Sequence, residues 1–173
     1  GHNENKLVEL TDDLTGYTFT TTNSGILKVD ATVGGGYGDI YGTVWETNDA
    51  GQHIVDATGR PQASSDKALL GNYQPDWIGG LNNTFKFGDL RLNFLIDGRF
   101  GGQIYSGSDA GLQGSGVADY TVDRESRVLD AVVNTSGDPE NPTWEPNTAE
   151  ITGQQYHGAM SGIAETHVYD QTS

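Results

Sequence analysis

Cysteine is absent from the 173 residues, which excludes a disulfide framework and thiolate chemistry. No apolar run approaches the length of a transmembrane helix, which excludes a helical membrane protein and says nothing against a barrel. Basic residues are few: 9 Lys and Arg stand against 24 Asp and Glu, for a net charge of −15. With no basic stripe to neutralise phosphates, nucleic acid is excluded as a partner, and peripheral binding to anionic lipid is disfavoured. The acidic excess reads first as a solvated surface. Hydrophobic residues make up only 34% of the chain while glycine reaches 25 residues, so few long apolar side chains are spread over many turns. That balance points to all-β structure with extended loops, in a chain long enough for one domain. No segment has the order of a secretory leader. The abrupt opening at Gly1-His2-Asn3 reads as an artificial boundary, with Gly1 left by a cleaved tag.

What the chain does have is a long amphipathic hairpin, Trp77 to Phe100, closed by Gly88-Asp89. Glycine at the first central position suits a two-residue type II′ turn, because it adopts positive φ without a Cβ clash. That turn sets the register. Phe87 faces Leu90, Phe85 faces Leu92, Asn83 faces Phe94, Leu81 faces Ile96 and Trp77 faces Phe100, giving one apolar face with aromatics near both ends. The other face pairs Lys86 with Arg91, Thr84 with Asn93, Asn82 with Leu95 and Gly80 with Asp97. Alternation alone favours a soluble antiparallel sheet, since barrel signals are weak per segment. Strand length argues the other way: about ten residues each is what a tilted strand needs to cross a bilayer.

Elsewhere, Tyr17 to Thr22 and Gly25 to Val33 are β-prone, and Gly34 to Gly38 interrupts them. Asn5 to Leu10 fits a short strand or a helical turn. Tyr41 to Glu46 and Gln52 to Asp56 flank Asn48-Asp49-Ala50-Gly51, a small hairpin with an Asx-type turn, and Asp56 to Pro61 forms another turn. Gly107 to Gly116 reads as a loop with room for a helical turn at Asp109 to Gln113, and Asp119 to Val133 as mixed with a second such turn. Gly137 to Asn147 contains Pro139, Pro142 and Pro146 and reads as an irregular loop. One tight turn between two long strands, flanked by long polar segments, is the layout of an outer-membrane barrel, with Gly88-Asp89 at the periplasmic end.

Several stretches in order carry a family resemblance. They are Asn3-Glu4-Asn5-Lys6-Leu7-Val8, Tyr37-Gly38-Asp39-Ile40-Tyr41-Gly42, Asp49-Ala50-Gly51 with Asp56 and Gly59-Arg60-Pro61, and Leu70 to Trp77. The strongest runs from Gly80-Leu81-Asn82-Asn83-Thr84-Phe85 to Phe94-Leu95-Ile96-Asp97-Gly98-Arg99-Phe100-Gly101-Gly102. Over residues 3 to 105 the chain resembles the C-terminal part of SusC/RagA-type TonB-dependent outer-membrane transporters of the Bacteroidetes. Val168-Tyr169-Asp170 looks like the lead-in to that family's last strands. The plug, the TonB box and most of the barrel have no counterpart here. The resemblance implies a transmembrane antiparallel β-barrel fragment: residues 1–76 as a strand end and a long loop with a small hairpin, 77–105 as the barrel hairpin, and 106–173 as a long loop with short helical turns. It further implies glycan or peptide import with TonB and a SusD-like surface lipoprotein as partners of the full-length protein, contact with outer-membrane lipid, and no transport by the fragment itself.

Chemistry is sparse. His2, His53, His157 and His167 have no metal-ligand spacing and read as surface-loop histidines; no cofactor or metal site is assigned and the chain reads as non-enzymatic. Gly34 to Gly38 fits neither a dinucleotide fingerprint nor a phosphate loop, and the calcium-loop pattern ending at Gly51 loses a ligand at Ala50. Trp144, Trp45 and Tyr105 are the candidate substrate-binding residues, because aromatic faces stack on sugars. Trp144 leads, from the proline-rich loop, against the competing explanation of packing beneath that loop. The alternative to the transporter fragment is a soluble secreted β-domain that binds carbohydrate; a glycosidase is a distant third. Lys86, Arg91, Asp97 and Arg99 favour the first, since a hydrated lumen tolerates charge.

Overall fold

The computed structural model of the chain describes residues 1–11, 14–22 and 25–172. Its elements run β1 (Gly16–Thr21), β2 (Leu27–Thr32), β3 (Tyr37–Gly42), β4 (Ile54–Val55), β5 (Ala68–Asn72), β6 (Trp77–Phe87), β7 (Leu90–Phe100) and β8 (Gln103–Tyr105). There follow α1 (Gly107–Ser115), β9 (Arg127–Val128), β10 (Val132–Asn134), β11 (Trp144–Pro146), β12 (Glu150–Ile151), α2 (Gly153–Met160) and β13 (Val168–Asp170), with single 3-10 turns at Asp119–Thr121 and Ala164–His167. The fold is all-β in its broad character. Among the described residues the strands form separate small sheets and close no barrel.

An antiparallel sheet in the order β1-β2-β3-β5 forms first, built by the β-branched and aromatic runs that favour a pleated surface. Leu27 and Ile40 from this sheet bury against Ala164, with Ile26, Val29, Leu70 and Tyr105 packed around them. Two carboxylates are buried beside this core, and both are satisfied, as burial of charge requires. Asp30 accepts from Thr18 Oγ1 at 2.7 Å and pairs with Lys28 Nζ at 2.5 Å. Asp39 accepts from the Gly36 amide at 2.9 Å and from Asn72 Nδ2 at 2.8 Å.

Between β3 and β5 the chain makes two tight turns, each held by a side chain mimicking a backbone acceptor. Asn48 Oδ1 accepts the Ala50 and Gln52 amides, and Asp56 Oδ1 accepts the Thr58 and Arg60 amides. β4 then pairs in parallel with β10, whose other edge carries β11 antiparallel.

The β6–β7 hairpin has the expected register throughout, from Phe87↔Leu90 to Trp77↔Phe100. Gly88 has φ +59°, the positive value the turn demands. Among the described residues its outer edges are paired only at the base, where His2 bridges to Trp77 with the two rings stacked at 4.2 Å and Gly1 exchanges hydrogen bonds with the Ile78 backbone.

The second half is more ordered than its composition suggests. Residues 107–116, read from sequence as a loop with room for a helical turn at Asp109 to Gln113, are mostly helix α1: Ser106 caps it by accepting the Asp109 amide, and Gly116 ends it in the left-handed region. α2 has a full capping box between Thr152 and Gln155. Within the proline-rich loop, Trp144–Pro146 is strand β11. Residues 5–10 adopt neither strand nor helix, and lie instead against the Gly34 and Gly35 backbone through Leu7.

Candidate functional site

Three features of the fold hold the chain's exposed chemistry: the face of the β6–β7 hairpin, a cleft at Trp144, and an aromatic groove at Tyr105. The hairpin forms a sheet of its own and, apart from His2 stacked on Trp77, its apolar face is largely exposed among the described residues. On its apolar face Trp77, Leu81, Phe85, Phe87, Leu90, Leu92, Ile96 and Phe100 are all exposed. Phe85 stacks on Phe94 with ring centroids 5.9 Å apart, so these side chains gather on one surface. Across the strands, Lys86 sits directly opposite Arg91 with no carboxylate bridging them among the described residues. Like charges in register repel, so that face belongs in water.

The cleft, of about 550 Å³, opens where the parallel β4–β10 pairing brings the turns of residues 46–57 beside the β10–β11 hairpin. Ile54, Val55 and Val133 lie beneath it, Pro139, Pro142 and Trp144 stand on one side, and Glu46, Asp49, Asp56 and Glu140 add carboxylates. Both walls are braced by side-chain hydrogen bonds. Asn48 braces one turn, and Asn134 Oδ1 accepts from the Ser136 amide, the Ser136 hydroxyl and the Thr143 amide in the other. Burial pushes Asp56 up, but the Thr58 hydroxyl, the Arg60 and Thr58 amides and the Arg60 charge together hold it below the usual carboxylate value.

The three aromatic candidates do not converge. Trp144 is half-buried and lines the cleft. Trp45 lies outside that lining, its ring stacked on His53 at 4.2 Å and its Nε1 donating to the Ile54 carbonyl at 2.8 Å. Tyr105 packs on the Leu27–Ile40–Ala164 core and borders a separate groove of about 550 Å³ lined by Phe19, Tyr37, Tyr73 and Ile104.

Two histidines correct the surface-loop reading: His157 is 8% exposed and His167 only 1%. His167 Nδ1 meets Asp109 Oδ2 at 2.7 Å, and that carboxylate also accepts from Tyr169 at 2.7 Å and from Tyr120 at 3.0 Å. The Tyr169 hydroxyl, with His167 and Tyr120, holds Asp109 below its ordinary value against the opposing effect of burial. Burial and the Asp109 charge in turn push Tyr120 up to about 12. His167 Nε2 is buried without a partner among the described residues, and the constellation ties α1 to the 119–121 turn, the 164–167 turn and β13. Residues 58 apart in sequence meet here, and no local signal marks them. His157 faces Gln113 Nε2 at 3.3 Å through Nδ1, and burial pushes its value down. Among the described residues, no group of three or more His, Cys, Asp or Glu is placed to hold a metal ion. No protein-family model matches the chain, and no curated protein matches it.

Proposed function

We propose that this chain is part of a SusC-like TonB-dependent outer-membrane transporter that imports glycans or peptides with a SusD-like lipoprotein partner. In this reading β6 and β7 face lipid and the flanking segments lie outside the cell, without enzymatic activity. The observation that carries the reading is the uncovered apolar face of the hairpin. Each strand has eleven residues. Ten steps of ~3.3 Å span about 33 Å, and a tilt of ~40° leaves about 25 Å along the membrane normal, the height of the apolar band of an outer-membrane barrel. In water such a surface invites aggregation, whereas in lipid it is satisfied. The charged opposite face suits a hydrated lumen.

The cleft at Trp144 favours the second reading, a soluble secreted β-domain that binds carbohydrate. Purification without detergent separates the two. A chain that aggregates in buffer and folds in detergent supports the transporter fragment; a monomer in plain buffer, with tryptophan fluorescence quenched by sugar, supports the soluble binder and overturns the first reading.

A further inference from the structure

We infer that, away from a bilayer, the apolar face of the β6–β7 hairpin docks on the same face of a second copy of this chain, with the tip of each hairpin over the base of the other. The area is sufficient. Eight large apolar side chains on that face, from Trp77 to Phe87 on β6 and from Leu90 to Phe100 on β7, are 41–67% exposed. At ~200 Å² for a fully exposed side chain of this size, they present roughly 900 Å². A stable dimer takes about 800 Å² from each partner, and a monomer rarely leaves an apolar patch above about 600 Å². Charge does not oppose the contact. Lys86, Arg91, Asp97 and Arg99 alternate onto the opposite face and Asp89 sits in the turn, so no ion is buried between the copies.

The pattern of the face sets how the two copies meet. Asn83 is its one polar side chain, lies opposite Phe94 near mid-hairpin, and makes no side-chain hydrogen bond among the described residues. An amide both donates and accepts, so at a two-fold axis it pairs with its own copy. Toward the base, Gly79 faces Gly98, and nothing lies within 4 Å of where a Gly79 Cβ would stand. Equally far from Asn83 toward the tip, Phe87 faces Leu90, at 66% and 67% exposure. With the hairpins antiparallel about Asn83, the bulky Phe87–Leu90 pair of each copy enters the glycine notch of the other, and Leu81–Ile96 meets Phe85–Leu92. A tip-to-tip arrangement instead sets bulk against bulk and leaves the notches unfilled, which close packing disfavours.

This inference does not rest on the transporter reading, which concerns the chain in lipid; here the same face is covered in water. Sedimentation equilibrium of the full chain in detergent-free buffer is expected to show a dimer with micromolar or tighter affinity. Leu81→Asp puts an unpaired charge into the contact and is expected to weaken the dimer at least about 100-fold. Asn82→Asp, one residue along on the opposite face, is expected to stay within about threefold of the parent. Leu81 is 54% exposed in the single chain, and far-UV circular dichroism verifies that both variants are folded. The chain has no cysteine, so a nitroxide on Asp89→Cys marks each hairpin tip alone. At ~3.3 Å per residue on either side of the axis, the two labels are expected about 35 Å apart, whereas a tip-to-tip dimer brings them within about 20 Å. A monomer, assemblies larger than a dimer, equal loss in both variants, or labels within about 20 Å overturns the inference. Vesicle partitioning by dilute chain, followed through Trp77, reports on the transporter reading separately.

Discussion

Ile96 and Leu95 are neighbours on β7 that point to opposite faces, and replacing each in turn by arginine tests the lipid-facing reading. Both are open to solvent, at 60% and 67% exposure, so in water neither substitution costs more than about 0.5 kcal/mol. Ile96 pairs with Leu81 on the apolar face, near the middle of the strand; Leu95 pairs with Asn82 on the face of Lys86 and Arg91. On the lipid-facing reading, an isolated β6–β7 pair would lay its apolar face on a bilayer, whereas a complete barrel would stand its strands across one. In both cases Ile96 would enter hydrocarbon and Leu95 would not. Moving the exposed part of Ile96 into lipid gains about 1–2 kcal/mol, and arginine forfeits that gain while adding a charge to the lipid side. The total of about 2–4 kcal/mol lowers partitioning roughly 30- to 900-fold. The Leu95→Arg chain is expected to partition within about twofold of the parent. The readout is quenching of Trp77 by brominated acyl chains in zwitterionic vesicles, with Trp45 and Trp144 replaced by phenylalanine so that Trp77 alone emits. Equal loss in both variants, or a parent that ignores vesicles, refutes the reasoning.

Four further outcomes follow from the structure. Asp109→Ala strips the partner from the buried His167 Nδ1 and from two tyrosine hydroxyls, and is expected to cost about 2–3 kcal/mol in urea unfolding. The Asp109 value is depressed on folding, so its contribution is complete above the ordinary carboxylate value of 3.8 and is lost as pH falls through the lower folded value. In Asp109→Asn, the Tyr120 titration is expected to move down from about 12 toward 10.0 by ultraviolet absorbance, because the neighbouring charge is gone. Gly38→Ala combines a φ of +92° with overlap between the new Cβ and the Tyr73 ring, so it is expected to disrupt the β3–β5 pairing, seen as loss of amide protection there. Thr152→Ala removes the capping box of α2 and is expected to cost about 1 kcal/mol in the same urea assay.

The parts of this fold that are legible in sequence are those whose physics is local. A period of two and one glycine turn specify the whole β6–β7 register, and Asn48 and Asp56 announce their turns because each side chain bonds amides two and four residues ahead. The Thr152–Gln155 spacing of the α2 capping box is equally local, yet Gly153 and Gly158 and the lack of an apolar stripe hide the helix that follows. Trp144 as a lining residue follows from residue type and loop context. Its neighbours do not, because the cleft exists only through the β4–β10 pairing of segments far apart in the chain. Likewise His167 is buried by contacts that bring Asp109 to it from 58 residues away, so composition places it wrongly on the surface. By itself, then, the sequence determines strand alternation, turns and charge, since neighbours along the chain settle those. Tertiary structure alone decides which carboxylates share a cleft, which histidines are buried, and that the apolar face of the hairpin is left largely exposed among the described residues. Those outcomes depend on which distant surfaces meet, and periodicity carries no information about that.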